Sequence, residues 1–318
     1  MENNLINLKI DSKAIAALID AVSRGIGTLY EPINIRRLAK AKAKETVILA
    51  KAECEKKQIM AALDSKIEDS IPSEKLESIV SRIVSKEVRR QENVDAVVQA
   101  ALEDLNTAKT VSDEKANSDW LTRFFNIVED VSDDELRVVW GKILSQEIQY
   151  PGSYSLRTLS TISNLSKKEA ELFTRIGNLI LRTNEYKFLL RNDESILGSD
   201  IGYDEISLLM ECGLLKEVYD INIIYSSDKN KIKSHAFVYQ DTAIVIEITP
   251  NASDVYVPIF QLTTAGNEIY NILNVEKDMS LLDKIAKVIK RDNIRVGYAK
   301  FNFMKDGIID MDDKITYL

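Results

Sequence analysis

The chain has 318 residues, of which 45% are hydrophobic and 29% charged, and its formal net charge is -8. That length and apolar content allow two folding units with real cores, and the negative balance opposes sequence-independent attraction to nucleic-acid phosphates. The two cysteines, Cys54 and Cys212, have neither the paired spacing of a zinc site nor the density of a secreted disulfide framework. No apolar run reaches the roughly 20 residues of a membrane-spanning helix, and the polar start Met1-Glu2-Asn3-Asn4 lacks the order of a signal peptide, so a cytoplasmic location is expected.

Residues 1–110 hold two glycines and two prolines, which leaves long stretches free to be helical. Within Asp11–Tyr30, Ile15, Leu18, Ile19, Val22, Ile26 and Leu29 recur every three or four residues and mark one helix face, which Glu31-Pro32 ends. A long helix is expected from about Asn34 to Asp69, because its Ala, Lys, Glu, Leu and Gln lose little side-chain entropy in helical geometry. Ala39, Ala43, Val47 and Ala50 form a small-residue seam along it, suited to the close approach of another helix. A second long helix runs from Pro72 to about Lys109, and the two are expected to lie antiparallel.

Trp120, Leu121, Phe124, Phe125, Ile127 and Val128 supply core surface to a compact helical middle that begins near Asp113. Ser132-Asp133-Asp134-Glu135 and Ser166-Lys167-Lys168-Glu169 each have capping-box spacing. After about residue 185 the runs Ile221–Tyr225, Ala236–Tyr239, Ala243–Ile248, Val255–Phe260 and Ile294–Phe303 favour a small antiparallel sheet, with helical spacing in Ala265–Leu273 and Leu281–Ile289.

Groups able to do chemistry are sparse. His235 is the single histidine, which rules out a multi-histidine metal centre, and Cys212 lies among apolar neighbours at a helix end. There is no phosphate-binding Gly-x-x-x-x-Gly-Lys-Ser/Thr loop. The acidic clusters Glu129–Glu135 and Asp306–Asp313 lack calcium-loop spacing and are better read as a helix start and a solvated tail. No catalytic residue, metal site or cofactor is therefore expected.

Charge is distributed unevenly. Between Glu31 and Met60 eight basic residues face four acids, and Arg36, Lys40 and Lys44 fall on one helical line. Beside the apolar face of Ile15–Leu29, that line suits an anionic lipid surface or a nucleic-acid backbone, and a solvated bundle face is the plain alternative.

Leu208-Leu209-Met210-Glu211-Cys212-Gly213-Leu214-Leu215 and Leu262-Thr263-Thr264-Ala265-Gly266-Asn267-Glu268-Ile269 resemble a winged-helix module over roughly residues 155–275. The helix in the reading position, about Asp204–Cys212, carries Asp204, Glu205 and Glu211 and no Lys or Arg, so sequence-specific DNA binding is not expected. A wider pattern joins Gly25-Ile26-Gly27-Thr28-Leu29-Tyr30-Glu31-Pro32, Arg36-Arg37-Leu38-Ala39-Lys40-Ala41, Val139-Trp140-Gly141-Lys142-Ile143-Leu144-Ser145-Gln146-Glu147 and Pro151-Gly152-Ser153. It resembles an uncharacterised bacterial domain-of-unknown-function family, distantly similar to the abortive-infection protein Abi-alpha. That resemblance implies a role in phage defence and carries over no catalytic residues.

The expectation is a mainly α protein with a smaller α+β part: a long-helix assembly region at 1–112, then a helical and winged-helix-like region at 113–318. Its function is read as a non-enzymatic scaffold, sensor or effector that forms homo-oligomers, contacts the inner membrane surface through its anionic lipids, and binds an unknown protein partner. A winged-helix DNA-binding regulator and an enzyme without a recognisable motif are the alternatives.

Overall fold

The computed structural model describes residues 12–27, 30, 73–106, 111–191, 194–198, 201–218, 221–305 and 308–318. The chain divides into two compact units, Met1–Leu156 and Arg157–Leu318. The expected boundary at residues 112–113 lies within the first of them.

The first unit is helical: α1 (Ser12–Ile26), α2 (Ser73–Leu105), α3 (Ser118–Val128) and α4 (Asp134–Gln149). Helix α2 starts at Ser73. Its later half carries Val94, Val97, Val98, Ala101 and Leu105, all buried, while most of Ser81–Glu92 is exposed. Helix α4 packs on that buried half and brings Trp140, Ile143, Leu144 and Ile148 to the same core. The approach is close because Gly141 lacks a Cβ, which would stand 2.8 Å from the Ala101 nitrogen. Phe124 of α3 stacks on Trp120 at 5.1 Å and meets Trp140 edge-on at 5.6 Å.

Polar groups fasten the α3–α4 turn to α2. Asn93, 2% exposed, donates to the Glu129 carbonyl oxygen at 2.7 Å and accepts from Arg137 at 2.6 Å. Arg90 makes two bonds to the Asp130 carboxylate, at 3.1 and 3.2 Å, and pairs with Glu129. The acidic run at 129–135 thus meets arginines and caps a helix. Its cap is Asp133, whose side chain accepts from the Leu136 N–H, and not Ser132 as the spacing suggests.

The second unit opens with α5 (Leu156–Asn164) and α6 (Lys167–Gly177), the latter started by the Ser166–Glu169 capping box with both reciprocal bonds formed. It continues through β1 (Leu181–Arg182), β2 (Lys187–Leu190), α7 (Glu194–Leu197), α8 (Tyr203–Glu211), β3 (Asn222–Tyr225), β4 (Lys233–Tyr239), β5 (Thr242–Ile248) and β6 (Val255–Gln261). After them come α9 (Thr264–Tyr270), α10 (Met279–Ile289), β7 (Ile294–Lys305), β8 (Ile308–Met311) and β9 (Thr316–Tyr317).

The strands form one curled antiparallel sheet in the order β3-β6-β2-β1-β4-β5-β7-β8, with β9 added to β7. This corrects the expected fold class: the C-terminal half is not a small α+β appendage to a mainly α protein but is built around an extensive sheet. It also corrects the winged-helix reading, because the strands at 181–190 and 255–261 continue through β4, β5 and β7 in that sheet instead of forming a short hairpin wing.

Both faces of the sheet are covered. Phe188 and Leu190 of β2, with Phe237, Ile244, Ile246, Ile259 and Val296, pack against Leu281, Ile285 and Ile289 of α10. Leu189 and Phe260 face the other way and join Phe173, Ile176, Leu209 and Ile269 from α6, α8 and α9. The period of two along a strand puts neighbouring residues of β2 into different cores.

Candidate functional site

The site begins with a proline inside a strand. Ile259 donates its N–H to the Ile221 carbonyl oxygen at 3.0 Å, and the β3–β6 register pairs Ile223 with Val257. In an antiparallel ladder the backbone groups of Val255, Val257 and Ile259 therefore turn toward β3, and those of Tyr256 and Pro258 turn the opposite way, toward β2. Arg191, just past the end of β2, donates its N–H to the Pro258 carbonyl oxygen at 3.0 Å. Pro258 has no N–H to return, so that pair is held by one bond. Two residues further out, the N–H and C=O of Tyr256 turn to the same side of β6 as those of Pro258; residues 192 and 193, which the register would bring opposite, lie outside the described residues.

Arg191 and the residues from Ala252 to Pro258 form one wall of a groove of about 730 Å³. The opposite wall is the junction of α10 and β7, from Val288 to Ile294. Helix α10 ends when Lys290 donates its N–H to the Ala286 oxygen, and a turn closed by Ile294 N–H on the Arg291 oxygen leads into β7. Lys290 and Arg291 are exposed at this turn.

Apolar and cationic groups meet in the groove. Val255 and Val288, both half-buried, and the buried Val257 and Ile294 supply its apolar lining, and the Tyr256 ring is 62% exposed beside them. Lys290 Nζ donates to the Leu318 main-chain oxygen at 2.7 Å, and Arg291 Nη1 donates to the Val288 and Lys290 oxygens, each at 2.8 Å. Both acids on the lining, Asp254 and Asp292, are exposed, and Asp254 accepts from the N–H and Oγ of Ser227, at 2.9 and 3.3 Å.

The residues singled out in the sequence lie elsewhere. On α1, Leu18 and Val22 are buried and Ile15, Ile19 and Ile26 are half-buried, in a helix that packs against α3. Leu29, the basic line Arg36, Lys40, Lys44 and the seam Ala39, Ala43, Val47, Ala50 lie outside the described residues. Burial, together with the nearby Glu169 carboxylate, pushes the half-buried Cys212 thiol up to about 11, so it is protonated near neutrality. His235 Nε2 lies 3.0 Å from the Ser226 carbonyl oxygen, with its ring against Tyr225. Among the described residues no group of three His, Cys, Asp or Glu side chains is arranged to hold a metal ion, and no helix is long and apolar enough to cross a membrane.

The groove was not read from the sequence, because Arg191, Tyr256, Lys290 and Arg291 are brought together only by the sheet. A signal was present in Pro258, since proline within an apolar β run marks a ladder pair that lacks a bond.

A helical unit followed by a unit built around a curled antiparallel sheet defines a two-part α and α+β protein. A family model described as "Protein of unknown function (DUF2806)" matches residues 77–286, and the chain belongs to that family. The chain is also similar to orotate phosphoribosyltransferases of Clostridium botulinum strain Eklund 17B (25% identical over 114 residues, 33% of this chain and 49% of the relative) and of Clostridium beijerinckii (26% over 114 residues, with the same coverage). It spans about half the length of the curated relatives it matches. No solved structure matches.

Proposed function

We propose that the protein is a non-enzymatic scaffold or sensor that works by binding other chains, with the second unit supplying a recognition groove. The observation that carries this reading is the groove itself, where an apolar lining, the exposed Tyr256 and the exposed Lys290 and Arg291 meet. The thiol and the imidazole support it from the other side: Cys212 is held protonated and His235 is engaged with a carbonyl oxygen, and neither lines the groove.

The first unit is the assembly part of this proposal. The seam Ala39, Ala43, Val47 and Ala50 suits helix pairing between copies, and the line Arg36, Lys40 and Lys44 suits an anionic inner-membrane surface in the cytoplasm. Because Leu18 and Val22 are buried within the unit, any lipid contact by α1 falls to Ile15, Ile19 and Ile26. The Gly25–Pro32 and Val139–Glu147 phrases resemble an uncharacterised bacterial family distantly similar to the abortive-infection protein Abi-alpha, and on that resemblance the proposed setting is bacterial phage defence.

Light scattering on the full chain tests the assembly part. A multiple of 35.9 kDa is expected for the wild type, and dissociation for Ala43→Glu and Ala50→Glu, whose charges enter a close helix contact. A wild type that stays monomeric at micromolar concentration removes the self-association reading. Flotation with anionic but not neutral vesicles, lost when Arg36, Lys40 and Lys44 are all changed to Glu, tests the lipid reading in the same way.

A further inference from the structure

We infer that Arg182 and Lys187 hold a phosphate dianion, free or as the head group of a monoester, on the sheet face beside the end of α9. The inference goes beyond the groove and self-association and depends on neither.

The two cations are direct partners across β1 and β2. Thr183 donates its N–H to the Tyr186 oxygen, so Arg182 and Lys187 form the next pair along, the non-hydrogen-bonded kind in which side chains start closest together. Like charges in that position repel. Both residues are half-buried, on the face that Leu189 shares with α6, α8 and α9. Burial, and then the Arg182 charge, hold the Lys187 ammonium below the usual lysine value. A bound counter-charge relieves both costs.

Among the described residues neither cation makes an ion pair. Arg182 Nη2 donates to the Gln240 carbonyl oxygen at 3.3 Å, and its guanidinium lies 4.8 Å from the centre of the Phe301 ring. Lys187 Nζ donates to Asn271 Oδ1 at 3.1 Å and to the Asn267 carbonyl oxygen at 3.4 Å. All of these partners are neutral. Of the neighbouring acids, Asp241 pairs with Lys277, Glu268 accepts from Thr158 Oγ1 at 2.6 Å, and Glu185 and Glu276 are exposed.

Tyr270 adds a third donor. Its ring centre is 5.3 Å from Lys187 Nζ, and after burial, which raises its hydroxyl, Arg182 is the next influence on it, so it stands within range of both cations. That hydroxyl makes no hydrogen bond among the described residues. Two positive charges and an O–H match an oxyanion with two charges and at least three oxygens. A carboxylate brings one charge and leaves the second cation unmatched.

The test is calorimetric titration of the full-length protein at about pH 8, where phosphate is a dianion. Inorganic phosphate or phenyl phosphate should bind with a Kd of about 0.1–3 mM, and acetate at least about tenfold more weakly. The tighter of the two phosphates tells whether the anion is free or carried by a monoester. Arg182→Gln and Lys187→Gln should each weaken binding about tenfold. If these variants do not fold by circular dichroism, Tyr270→Phe, which loses only the O–H, should weaken it about threefold.

Asn271→Asp gives Lys187 a carboxylate in the ligand's place. It should raise the melting temperature and weaken phosphate binding about tenfold, whereas a contact that only ties α9 to β2 would produce the first effect without the second. Undiminished phosphate binding by Asn271→Asp, or by folded Arg182→Gln and Lys187→Gln, places the anion elsewhere and overturns the inference. Acetate binding as tightly as phosphate, or no binding up to about 10 mM, overturns it as well.

Discussion

Thr263 Oγ1 donates to the carbonyl oxygen of Gly213 at 2.5 Å, joining the end of α8 to the start of α9 across 50 residues of chain. The same hydroxyl accepts from the Gly266 N–H at 3.0 Å and so caps α9. It closes a helix start and a distant helix end with one oxygen. Gly266 completes the contact, because a Cβ there would collide with the Leu214 carbonyl oxygen.

Thr263→Ala removes both bonds and should cost about 1–3 kcal/mol in urea unfolding, whereas Thr263→Ser, which keeps the hydroxyl, should cost much less. Gly266→Ala should cost at least as much as Thr263→Ala, because the obstruction is backbone and cannot swing aside. A Gly266→Ala protein as stable as wild type would show that α9 and the Leu214 segment can separate freely.

Glu147, 1% exposed on α4, accepts from the Gly152 N–H at 2.7 Å and the Tyr154 N–H at 3.2 Å, fixing the turn at the end of its own helix. Glu147→Gln turns one acceptor oxygen into a donor facing an N–H. Thermal unfolding should report a loss of about 1–3 kcal/mol, with faster amide exchange concentrated at 152–154.

Asn93 uses both ends of its amide, one for Glu129 and one for Arg137. Asn93→Asp keeps the acceptor for Arg137 but sets a carboxylate oxygen against the Glu129 carbonyl, and Asn93→Leu loses both bonds. Each should destabilise the first unit by about 2 kcal/mol or more, measured by chemical denaturation.

The Cys212 thiol gives a pH prediction. Its value is raised, chiefly by burial and then by Glu169, to about 11, so the folded state holds its proton more tightly than an ordinary thiol does. The stability gained from this is full below the unfolded thiol's pKa and is lost as pH rises through the folded value. In a Cys54→Ser background, alkylation of Cys212 by iodoacetamide should be slow at pH 7.5 and climb past pH 9. Glu169→Gln should shift that rise to lower pH; an unchanged profile would leave burial and the Glu211 charge as the causes.

What the sequence revealed was local. The Ser166–Glu169 box formed as read because its donors and acceptors lie within one turn. The Ser132–Glu135 box has the same spacing, yet Asp133 is the cap, since two adjacent residues can each accept from an N–H three positions on and spacing alone does not choose between them. The strands at 187–190 and 308–317 were not read. Lys187–Leu190 is buried on both faces and shows no alternation, and β9 is two residues long, so neither has the period-two signal. The phrases at 208–215 and 262–269 touch through Thr263 and Gly213, a contact that does not make a winged helix. The intervening strands joined a larger sheet because register between distant segments is a property of pairing, and composition does not display it.

The pairing of β2 with β6 also sets a timetable. Phe188, Leu189 and Leu190 find their partners Gln261, Phe260 and Ile259 only after most of the second unit's sequence has left the ribosome. Closing so long a loop is slow, and until it closes the apolar Phe188-Leu189-Leu190 run has no strand on that side. During synthesis this run is a point where a nascent chain is exposed to aggregation or to capture by a chaperone, and a stop or a slow codon just before residue 255 would prolong that exposure.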